Sequence, residues 1–497
     1  MKQETLQATA ATTPALANSD ERVRTLAVEV LRELPYEPND DQLLLVVALC
    51  HFMCHSPARG VFLLGGFAGT GKTSLTGAIV RALSRRHIPT VLMAPTGRAA
   101  HVLGGHSGHP AWTIHRKIYR QSSYGSDSFP LAENRHRGTL FIVDEASMIG
   151  QGGAEPSPFG SGRLLDDLME YVYGNTPVDD NGCRLLLMGD TAQLPPVGQE
   201  QSPALDESVL QAYGATLYAV QLRQVARQAL ESGILRAATL LREAIESGGE
   251  LTAPRLDVSA SDDLQAVSGE FLLETISDCY DRDGIEQTIV ITRSNRRASL
   301  FNSGIRGSIL YREELLCAGD LLMVVKNNYF WAEDYDEIDF LANGDTLRVR
   351  RVRGMVERRY GLQFLNVVVE LPDHGDIEME VKVVVDSLMS DAPALTRDRQ
   401  QHLFEQVWSE LEGDKRARYK ALKQHPYFNA LQVKYGYAVT CHKAQGGQWS
   451  NVFVDMGGIA PEAALTLDYH RWLYTALTRA TRRVYLVNYR DPDAVEN

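Results

Sequence analysis

The stretch GVFLLGGFAGTGKTSL, residues Gly60–Leu75, joins an apolar run to a glycine-rich loop. The loop from Gly66 to Thr73 fits the pattern G-x-x-x-x-G-K-[ST]. Because glycine has no Cβ, the backbone N–H groups of such a loop can turn inward and bind phosphate oxygens. The following segment, SLTGAIVRALSRR, is amphipathic, and the positive end of its predicted helix adds to the attraction for phosphate. The sequence therefore predicts a strand, a loop that binds a nucleoside triphosphate, and a helix.

The residue types of this loop indicate how it would contact the nucleotide. Lys72 would reach the β- and γ-phosphates, and the hydroxyl of Thr73 would hold Mg²⁺. The remaining cofactor-binding positions that we predict in the loop and at the start of the helix are Gly66, Ala68, Gly69, Thr70, Gly71 and Ser74.

Two further strands carry polar residues at their carboxyl ends, where open α/β sheets bind ligands. The segment TLFIVDEAS delivers Asp144, a candidate Mg²⁺ ligand, and Glu145, which can take a proton from an attacking water. The segment CRLLLMGD continues into TAQLPPVG, where Gln193 could sense the γ-phosphate. Together the three strands predict that the bound triphosphate is hydrolysed.

Length and composition set limits on the class of protein. With 497 residues the chain is long enough for about three domains. The formal net charge of −13 argues against a chain that coats nucleic acid by its overall charge, but a local basic groove remains possible. No apolar run is long enough to span a bilayer, and the first twenty residues predict a flexible tail rather than a secretory signal. Six scattered cysteines favour a reduced, cytoplasmic setting.

Two clusters of polar residues suggest other chemistry. The segment CHFMCH, Cys50–His55, has spacings that could hold a metal, but a buried helix with two small thiols is the simpler interpretation. The segment PDHGDIEMEVK places Asp373, Glu380 and Lys382 in a nuclease-like order. A nuclease site needs carboxylates that converge on a metal, and surface charges on a strand explain this pattern equally well.

Eight motifs occur in a fixed order between about Gln42 and Val487. They are GFAGTGKT, APTGRAA, TIH, VDEAS, GDTAQLPPV, LRQVARQ, VTCHKAQG and LYTALTRA. In this order they resemble the motif series of superfamily-one helicases, most closely the RecD-like and bacteriophage Dda-type group. The resemblance implies an α/β P-loop NTPase with two RecA-like parallel-sheet domains that face one ATP, and with single-stranded DNA crossing both.

The resemblance also implies roles for individual residues. Gln42 would read adenine, and Arg227 and Arg479 would be arginine fingers that stabilise charge on the γ-phosphoryl group. With Lys72, Glu145 and Gln193 they make up the predicted catalytic set. Considered without its motif, Arg479 could instead cap a helix or pair with an acid.

On the DNA side, the resemblance implies phosphate contacts from Thr96, His115, Thr440 and His442. Contacts to the phosphate backbone position a DNA strand without reading its base sequence. Gln445 and Gly446 would link this groove to the γ-phosphate. Aromatic residues that could stack on bases, or simply belong to the core, are Trp112, Tyr119, Trp331 and Trp449.

Changes in pattern along the chain predict the domain boundaries. Residues 1–36 are a flexible tail and lead-in, and residues 37–215 form the first RecA-like domain. A pin-like insertion at about 101–138 interrupts that domain, with its tip at Ser122–Pro130 or with a surface loop there instead. Residues 216–318 and 430–497 form the second RecA-like domain. An alternation of period two within 319–429 predicts an inserted antiparallel β-barrel, followed by a helical arm that resembles Dda-type members.

These observations predict an ATP- and Mg²⁺-dependent DNA helicase that acts on single-stranded DNA and duplex junctions. The resemblance alone implies 5′→3′ movement, action as a monomer, and a place in DNA replication, repair or recombination with proteins of those processes. Two alternatives remain: a helicase directed to RNA or to mixed substrates, and a nucleotide-binding motor subunit of a larger repair complex. The sequence predicts no association with a membrane.

Overall fold

The computed structural model describes residues 19–57, 59–120, 129–152, 159–174, 182–224, 232–259, 261–335, 338 and 340–490. The chain forms two compact units. The first ends at Ser247 and the second begins at Gly248, with Thr96–Arg98 grouped with the second. This division differs from the boundary predicted near residue 215, because the segment Thr216–Leu222 pairs with Gly60–Gly66 in the sheet of the first unit.

The first unit is built on a sheet in which all described neighbouring strands are parallel. Its strands are β1 (Gly60–Gly66), β2 (Thr90–Ala94), β3 (Ala111–Thr113), β4 (Leu140–Val143), β5 (Arg184–Gly189) and β6 (Thr216–Leu222). They lie in the order β3-β2-β4-β5-β1-β6. Because parallel strands end at the same edge of a sheet, the loops after β4, β5 and β1 lie next to one another.

Helices cover this sheet. They are α1 (Glu21–Arg32), α2 (Asp40–His55), α3 (Lys72–Arg85), α4 (Gly97–Ser107), α5 (Ile114–Ile118), α6 (Leu164–Tyr173), α7 (Glu207–Ala212) and α8 (Gly233–Ser247). The helix α1 lies where a flexible lead-in was predicted. It forms because Val23, Leu26 and Val30 share one face and are buried in the core with α2 and α3. Asp20 caps it by accepting a hydrogen bond from the Val23 backbone N–H at 2.9 Å.

The cysteine-containing segment CHFMCH lies at the end of α2. Cys50 is 2% exposed within the core cluster, and burial raises the pKa of its thiol. Among the described residues, no group of three or more histidine, cysteine, aspartate or glutamate side chains could hold a metal ion. Cys50 therefore packs as a small apolar residue.

The second unit contains a parallel sheet and a closed barrel. Its strands are β7 (Leu264–Val267), β8 (Thr288–Thr292), β9 (Leu321–Val324), β10 (Thr346–Arg359), β11 (Leu362–Leu371), β12 (Ile377–Val384), β13 (Leu431–Tyr435), β14 (Ala438–Thr440), β15 (Trp449–Asp455) and β16 (Ala480–Val487). The parallel sheet has the order β14-β8-β15-β16-β7. Two parallel sheets and an inserted barrel confirm the predicted fold class.

The barrel has the order β10-β11-β12-β13-β9. The pair β12–β13 is parallel, and the other pairs are antiparallel. Along β10 and β11 the buried residues Leu347, Val349, Val367 and Val369 alternate with outward-facing ones, which produces the period-two pattern. The fifth strand, β13, follows the helical arm and lies beyond the range 319–429 in which the sequence pattern places the insertion.

The helices of the second unit include the predicted arm. They are α9 (Leu272–Asp283), α10 (Asn295–Gly304), α11 (Val385–Met389), α12 (Arg397–Glu410), α13 (Lys415–Lys423), α14 (Cys441–Ala444) and α15 (Leu467–Leu477). The arm consists of α12 and α13. Its residues Leu403, Val407 and Leu422 are buried in one cluster with Phe364 of β11, so the arm packs on the barrel.

The nuclease-like residues do not converge on one point. Glu380 forms an ion pair with Arg353 at 3.0 Å, and Lys382 forms one with Glu357 at 3.0 Å. Asp373 lies in the turn between β11 and β12. Glu380 and Lys382 therefore take part in ion pairs with residues of β10 rather than in a metal site, as expected for charges on a strand.

The region predicted as a pin-like insertion contains part of the core sheet. β3 pairs with β2 through Ala111 and Leu92, and α5 follows it directly. Of the candidate pin tip, Phe129 and Pro130 are described, and the remainder lies outside the described residues. Among the described helices, none combines the length and the apolar character that a membrane span requires.

Candidate active site

The phosphate-binding loop leaves β1 and enters α3 at Lys72. Gly69 and Gly71 have φ angles of 75° and 86°, which lie in the left-handed region that glycine adopts without strain. A Cβ atom on Gly71 would lie 2.7 Å from the Gln42 side-chain nitrogen, so close packing also requires glycine there. The hydroxyl of Thr70 donates to the Phe67 carbonyl at 2.8 Å and closes the loop. The predicted loop is therefore formed, with its glycines at positions that need them.

The Lys72 ammonium lies inside this loop. It donates to the carbonyl oxygen of Phe67 at 3.0 Å and to that of Gly66. Hydrogen bonds between an ammonium and charged phosphate oxygens are stronger than those to neutral carbonyls. Phosphate oxygens would therefore compete favourably with these carbonyls for the ammonium.

Gln42 anchors the loop to the start of α2. Its side chain is buried, with 2% exposure. The Oε1 atom accepts a hydrogen bond from the Asn39 backbone N–H at 3.2 Å, and the Nε2 atom donates to the Thr70 carbonyl at 2.9 Å. These two bonds fix the orientation of the amide and leave one N–H and one lone pair unused. The role of Gln42 in reading adenine stays a prediction.

Asp144 and Glu145 follow β4. The Asp144 carboxylate accepts a hydrogen bond from the Glu145 backbone N–H at 2.8 Å. Glu145 has φ 50° and ψ 38°, a left-handed conformation that is unfavourable for a residue with a side chain. Such conformations cluster at active sites, where the surrounding structure holds a catalytic group in place.

Gln193 follows β5 and lies between the loop and the acidic pair in the order of the strands. A turn made by Asp190 positions it, because the Asp190 carboxylate accepts the Ala192 N–H at 3.0 Å and its carbonyl accepts the Gln193 N–H at 3.2 Å. Gln193 is 5% exposed, and its Oε1 is buried without a hydrogen bond in the described part of the chain. Three neighbouring strands, β4, β5 and β1, thus bring the acidic pair, Gln193 and the phosphate loop to one edge of the sheet.

The segment that contains the predicted finger Arg227 begins beside the same edge. The backbone N–H groups of Arg223 and Gln224 both donate to the Asp41 carboxylate at 2.9 Å. Asp41 precedes Gln42, so this segment starts next to the anchored loop. Arg227 itself lies outside the described residues, and its finger role stays a prediction.

Arg242, in α8, contacts the phosphate loop although no sequence motif indicated it. Its guanidinium carbon lies 4.6 Å from the centroid of the Phe67 ring. Its side chain is 12% exposed, and Glu243 and Glu246 lie 3.4 and 3.9 Å away. Phe67 supplies the carbonyl that receives Lys72, so Arg242 stabilises the loop at the point where the ammonium is held.

Arg479, the second predicted finger, lies in the second unit just after α15. It is 4% exposed. Its Nε donates to the Thr475 carbonyl at 3.3 Å, and one terminal nitrogen donates to the Thr478 hydroxyl at 3.4 Å. The capping interpretation therefore describes this structure, while the finger role stays a prediction.

Two of the residues predicted to contact DNA follow strands of the first sheet. Thr96 follows β2 in the turn before α4. His115 is half-buried in α5, with its ring centroid 4.8 Å from that of Phe159 and 5.7 Å from that of Tyr119. Burial lowers the pKa of His115 to about 4, so the imidazole is neutral near pH 7. A neutral His115 would contact a phosphate as an N–H donor rather than as a cation.

The other two predicted contacts lie at the end of β14. Thr440 is half-buried at the N-cap of α14, and His442 is exposed in the first turn of that helix. Two basic residues nearby were not predicted. Burial lowers the pKa of Lys443 to about 8. Arg293 follows β8, the neighbour of β14, and lies 5.7 Å from the centroid of the Trp472 ring.

The four candidate stacking residues divide into two groups. Tyr119 and Trp449 are each 4% exposed and belong to the core. Trp331 is half-buried, and its Nε1 donates to a backbone carbonyl at 2.8 Å. Trp112 is half-buried, with the Arg116 guanidinium 4.7 Å from a ring centroid. Of these four, Trp112 and Trp331 are therefore the two that are not fully buried.

The chain matches two protein-family models and several helicase sequences. Residues 39–156 match a family model described as "AAA domain". Residues 435–487 match one described as "UvrD-like helicase C-terminal domain". The ATP-dependent RecD2 DNA helicase of Deinococcus radiodurans is 28% identical over 443 residues, which are 86% of this chain and 46% of that protein. The chain therefore spans about half the length of this relative.

Two further similarities involve Pif1 helicases. The ATP-dependent DNA helicase Pif1 of Bdellovibrio bacteriovorus is 30% identical over 142 residues, which are 28% of this chain and 30% of that protein. A crystal structure of Pif1 helicase from Candida albicans aligns with a TM-score of 0.47 at 17% identity, covering 93% of this chain and 97% of that one.

The phosphate loop, the acidic pair after a neighbouring strand and the two parallel sheets define a P-loop NTPase with RecA-like folds. The two matched domains and the relatives confirm the resemblance to superfamily-one helicases of the RecD-like group, and they add Pif1-type helicases to it.

Proposed function

We propose that this chain is an ATP-dependent DNA helicase that moves along single-stranded DNA from 5′ to 3′ and unwinds duplexes at junctions. One observation carries the proposal: β1, β4 and β5 bring a phosphate loop, an acidic pair and Gln193 to one edge of a parallel sheet. The match of residues 435–487 to a UvrD-like helicase C-terminal domain supports the coupling of hydrolysis to movement. The direction rests on the family resemblance alone.

The residues at this edge fit a magnesium nucleotide. Thr73 and Asp144 supply a hydroxyl and a carboxylate, and oxygen atoms are the ligands that Mg²⁺ prefers. When bound, Mg²⁺ neutralises charge on the β- and γ-phosphates. Lys72 binds phosphate oxygens in place of its present carbonyl partners, and the backbone N–H groups of the loop orient the triphosphate. Glu145 accepts the proton of the attacking water.

The remaining catalytic residues couple the chemistry to movement. The side chain of Gln193 is buried with a free carbonyl oxygen, so it can orient a water or report the γ-phosphate. Arg227 and Arg479 complete the charge stabilisation when the nucleotide is enclosed. Two hydrogen bonds of Arg479, at 3.3 and 3.4 Å, are with neutral oxygens, and a phosphate would offer charged oxygens instead.

The nucleic acid contacts act on the phosphate backbone. Thr96 and Thr440 offer hydroxyl groups and His442 an imidazole, and the neutral ring of His115 offers one N–H. Hydrogen bonds of this kind position a strand whatever its sequence. Lys443 adds positive charge near Thr440 and so favours an anionic ligand, while Arg293 forms an ion pair with Asp468 at 3.3 Å.

The proposal includes a cellular setting. All six cysteines are free, which agrees with the cytoplasm as the site of action. We place the helicase in DNA replication, repair or recombination, where it acts as a monomer together with proteins of those processes.

Strand displacement tests the proposal. Duplexes with a 5′ or a 3′ single-stranded tail are incubated with the chain, with and without ATP, and with Lys72→Ala as the control. We expect ATP-dependent displacement of the 5′-tailed substrate only. Displacement of only the 3′-tailed substrate would reverse the direction. Equal stimulation of hydrolysis by RNA and DNA of the same sequence would support the mixed-substrate alternative, and hydrolysis that DNA leaves unchanged would support a motor subunit without unwinding activity.

A further inference from the structure

Tyr36 lies between α1 and α2 in the segment LPYEPND. Pro35 and Pro38 flank it, and each proline fixes its own φ angle and restricts the residue before it to extended conformations. Leu34 is 7% exposed and anchors the segment in the core. The backbone on both sides of Tyr36 therefore has restricted freedom.

The hydroxyl group of Tyr36 is buried against the phosphate loop. It makes no hydrogen bond within the described part of the chain. Its oxygen lies 3.0 Å from the position that a Cβ on Gly71 would occupy. Burial raises the pKa of Tyr36, and interactions with the nearby Ser74 and Gln42 side chains oppose this rise. A buried hydroxyl without a partner costs stability, which a ligand at this place would recover.

The order of the strands shows which end of a nucleotide would meet this hydroxyl. Asp144 and Glu145 follow β4, on the β5 side of β1, so the γ-phosphate belongs on that side. β6 lies on the opposite side of β1. The start of α2 adjoins the end of β6, because Asp41 binds the N–H groups that follow that strand. Tyr36 therefore lies at the end of the loop away from the γ-phosphate, where the nucleoside belongs.

We propose that the Tyr36 hydroxyl binds the hydrogen-bonding edge of the purine of the nucleotide. This inference rests on the proposed function, since it assumes that the loop binds ATP. The amide of Gln42 is held in one orientation by its bonds to Asn39 and Thr70, so it can offer only its second N–H and its second lone pair. A hydroxyl can rotate to donate to a ring nitrogen or to accept from an exocyclic amine. Tyr36 thus adds affinity for the base beside the fixed amide of Gln42.

Thermal unfolding separates this role from a structural one. Tyr36→Phe removes the unpaired hydroxyl, so without nucleotide its Tm should equal or exceed that of the unchanged chain. With ADP and Mg²⁺, the rise in Tm should be smaller in Tyr36→Phe. Tyr218→Phe is the matched control, because Tyr218 packs on the same core cluster with its ring 5.2 Å from that of Phe52. A fall in the nucleotide-free Tm of Tyr36→Phe would assign the hydroxyl to the fold and overturn the proposal.

Calorimetric titration identifies the part of the nucleotide that is bound. In Tyr36→Phe we expect the Kd for ADP to rise about 5–10-fold, the loss of one hydrogen bond, while the Kd for inorganic tripolyphosphate stays unchanged. An unchanged Kd for ADP, or an equal weakening of both ligands, would refute binding of the base. If the unchanged chain binds neither ADP nor tripolyphosphate, the proposed function itself fails. This result differs from the two outcomes that refute only the role of Tyr36.

Discussion

Replacing Glu145 with glycine should stabilise the chain and at the same time abolish its ATP hydrolysis. Glu145 has φ 50° and ψ 38°, a conformation that costs a residue with a side chain roughly 1–2 kcal/mol. Glycine avoids this cost but loses about 0.5–1 kcal/mol more backbone freedom on folding. The difference is a net gain in the free energy of unfolding of about 0–1.5 kcal/mol, with the midpoint of the two ranges near 0.75 kcal/mol. Hydrolysis should fall by a factor on the order of 10²–10⁴, because the carboxylate proposed to take the proton of water is lost.

The assay measures both quantities on the same protein. Denaturant unfolding gives the change in the free energy of unfolding, and steady-state ATP turnover with saturating single-stranded DNA gives the change in rate. His87→Gly is the matched control: His87 has φ 56°, is exposed in the turn after α3, and has no place in the site. It should gain similar stability with turnover unchanged. If Glu145→Gly lost stability while His87→Gly gained it, Glu145 would not store strain, and turnover retained in Glu145→Gly would exclude it as the base.

Four further predictions concern other residues of the candidate site. Lys72→Ala should abolish ATP turnover while DNA binding survives in a filter assay, and normal turnover would exclude the phosphate role. Arg479→Ala should spare ATP binding but lower DNA-stimulated turnover, and an unchanged rate would leave the residue as a helix cap only. Arg242→Ala should raise the KM for ATP about 2–10-fold through a loosened Phe67, whereas an unchanged KM would separate α8 from the loop. His115 is protonated near pH 6.5 when unfolded but only near pH 4 when folded. Stability should therefore fall as pH falls through this window, and an equal fall in His115→Gln would assign it to other groups.

The parts of the site that the sequence predicts are those encoded within a few consecutive residues. The phosphate loop needs glycine at Gly69 and Gly71 and a lysine directly after, so its geometry is written in eight neighbouring positions. Asp144 and Gln193 are found for a similar reason, because each follows a short buried strand that stands out as an apolar run. Local patterns of this kind identify strand ends without any knowledge of the rest of the fold.

The residues that the sequence does not reveal depend on contacts between distant parts of the chain. Arg242 reaches Phe67 across 175 positions, and nothing around α8 distinguishes it from other amphipathic helices. The strand β13 is five residues long and is separated from the rest of its barrel by the arm, so only pairing with β9 and β12 defines it. The helix α1 has an apolar face of ordinary strength, and its burial depends on the surfaces of α2 and α3.

The contacts around the loop also indicate how its occupancy could affect the remainder of the chain. After β6 the polypeptide contacts the region of the phosphate loop at two points. The Asp41 carboxylate accepts hydrogen bonds from the backbone N–H groups of Arg223 and Gln224, and the Arg242 guanidinium contacts the Phe67 ring. The helix that carries Arg242 ends at Ser247, where the first unit ends. If phosphate replaces the Phe67 carbonyl at Lys72, as proposed, that carbonyl loses a hydrogen bond, and Arg242 contacts the ring of the same residue. The helix that leads to the end of the first unit therefore contacts a residue whose hydrogen bonding would change with the proposed nucleotide.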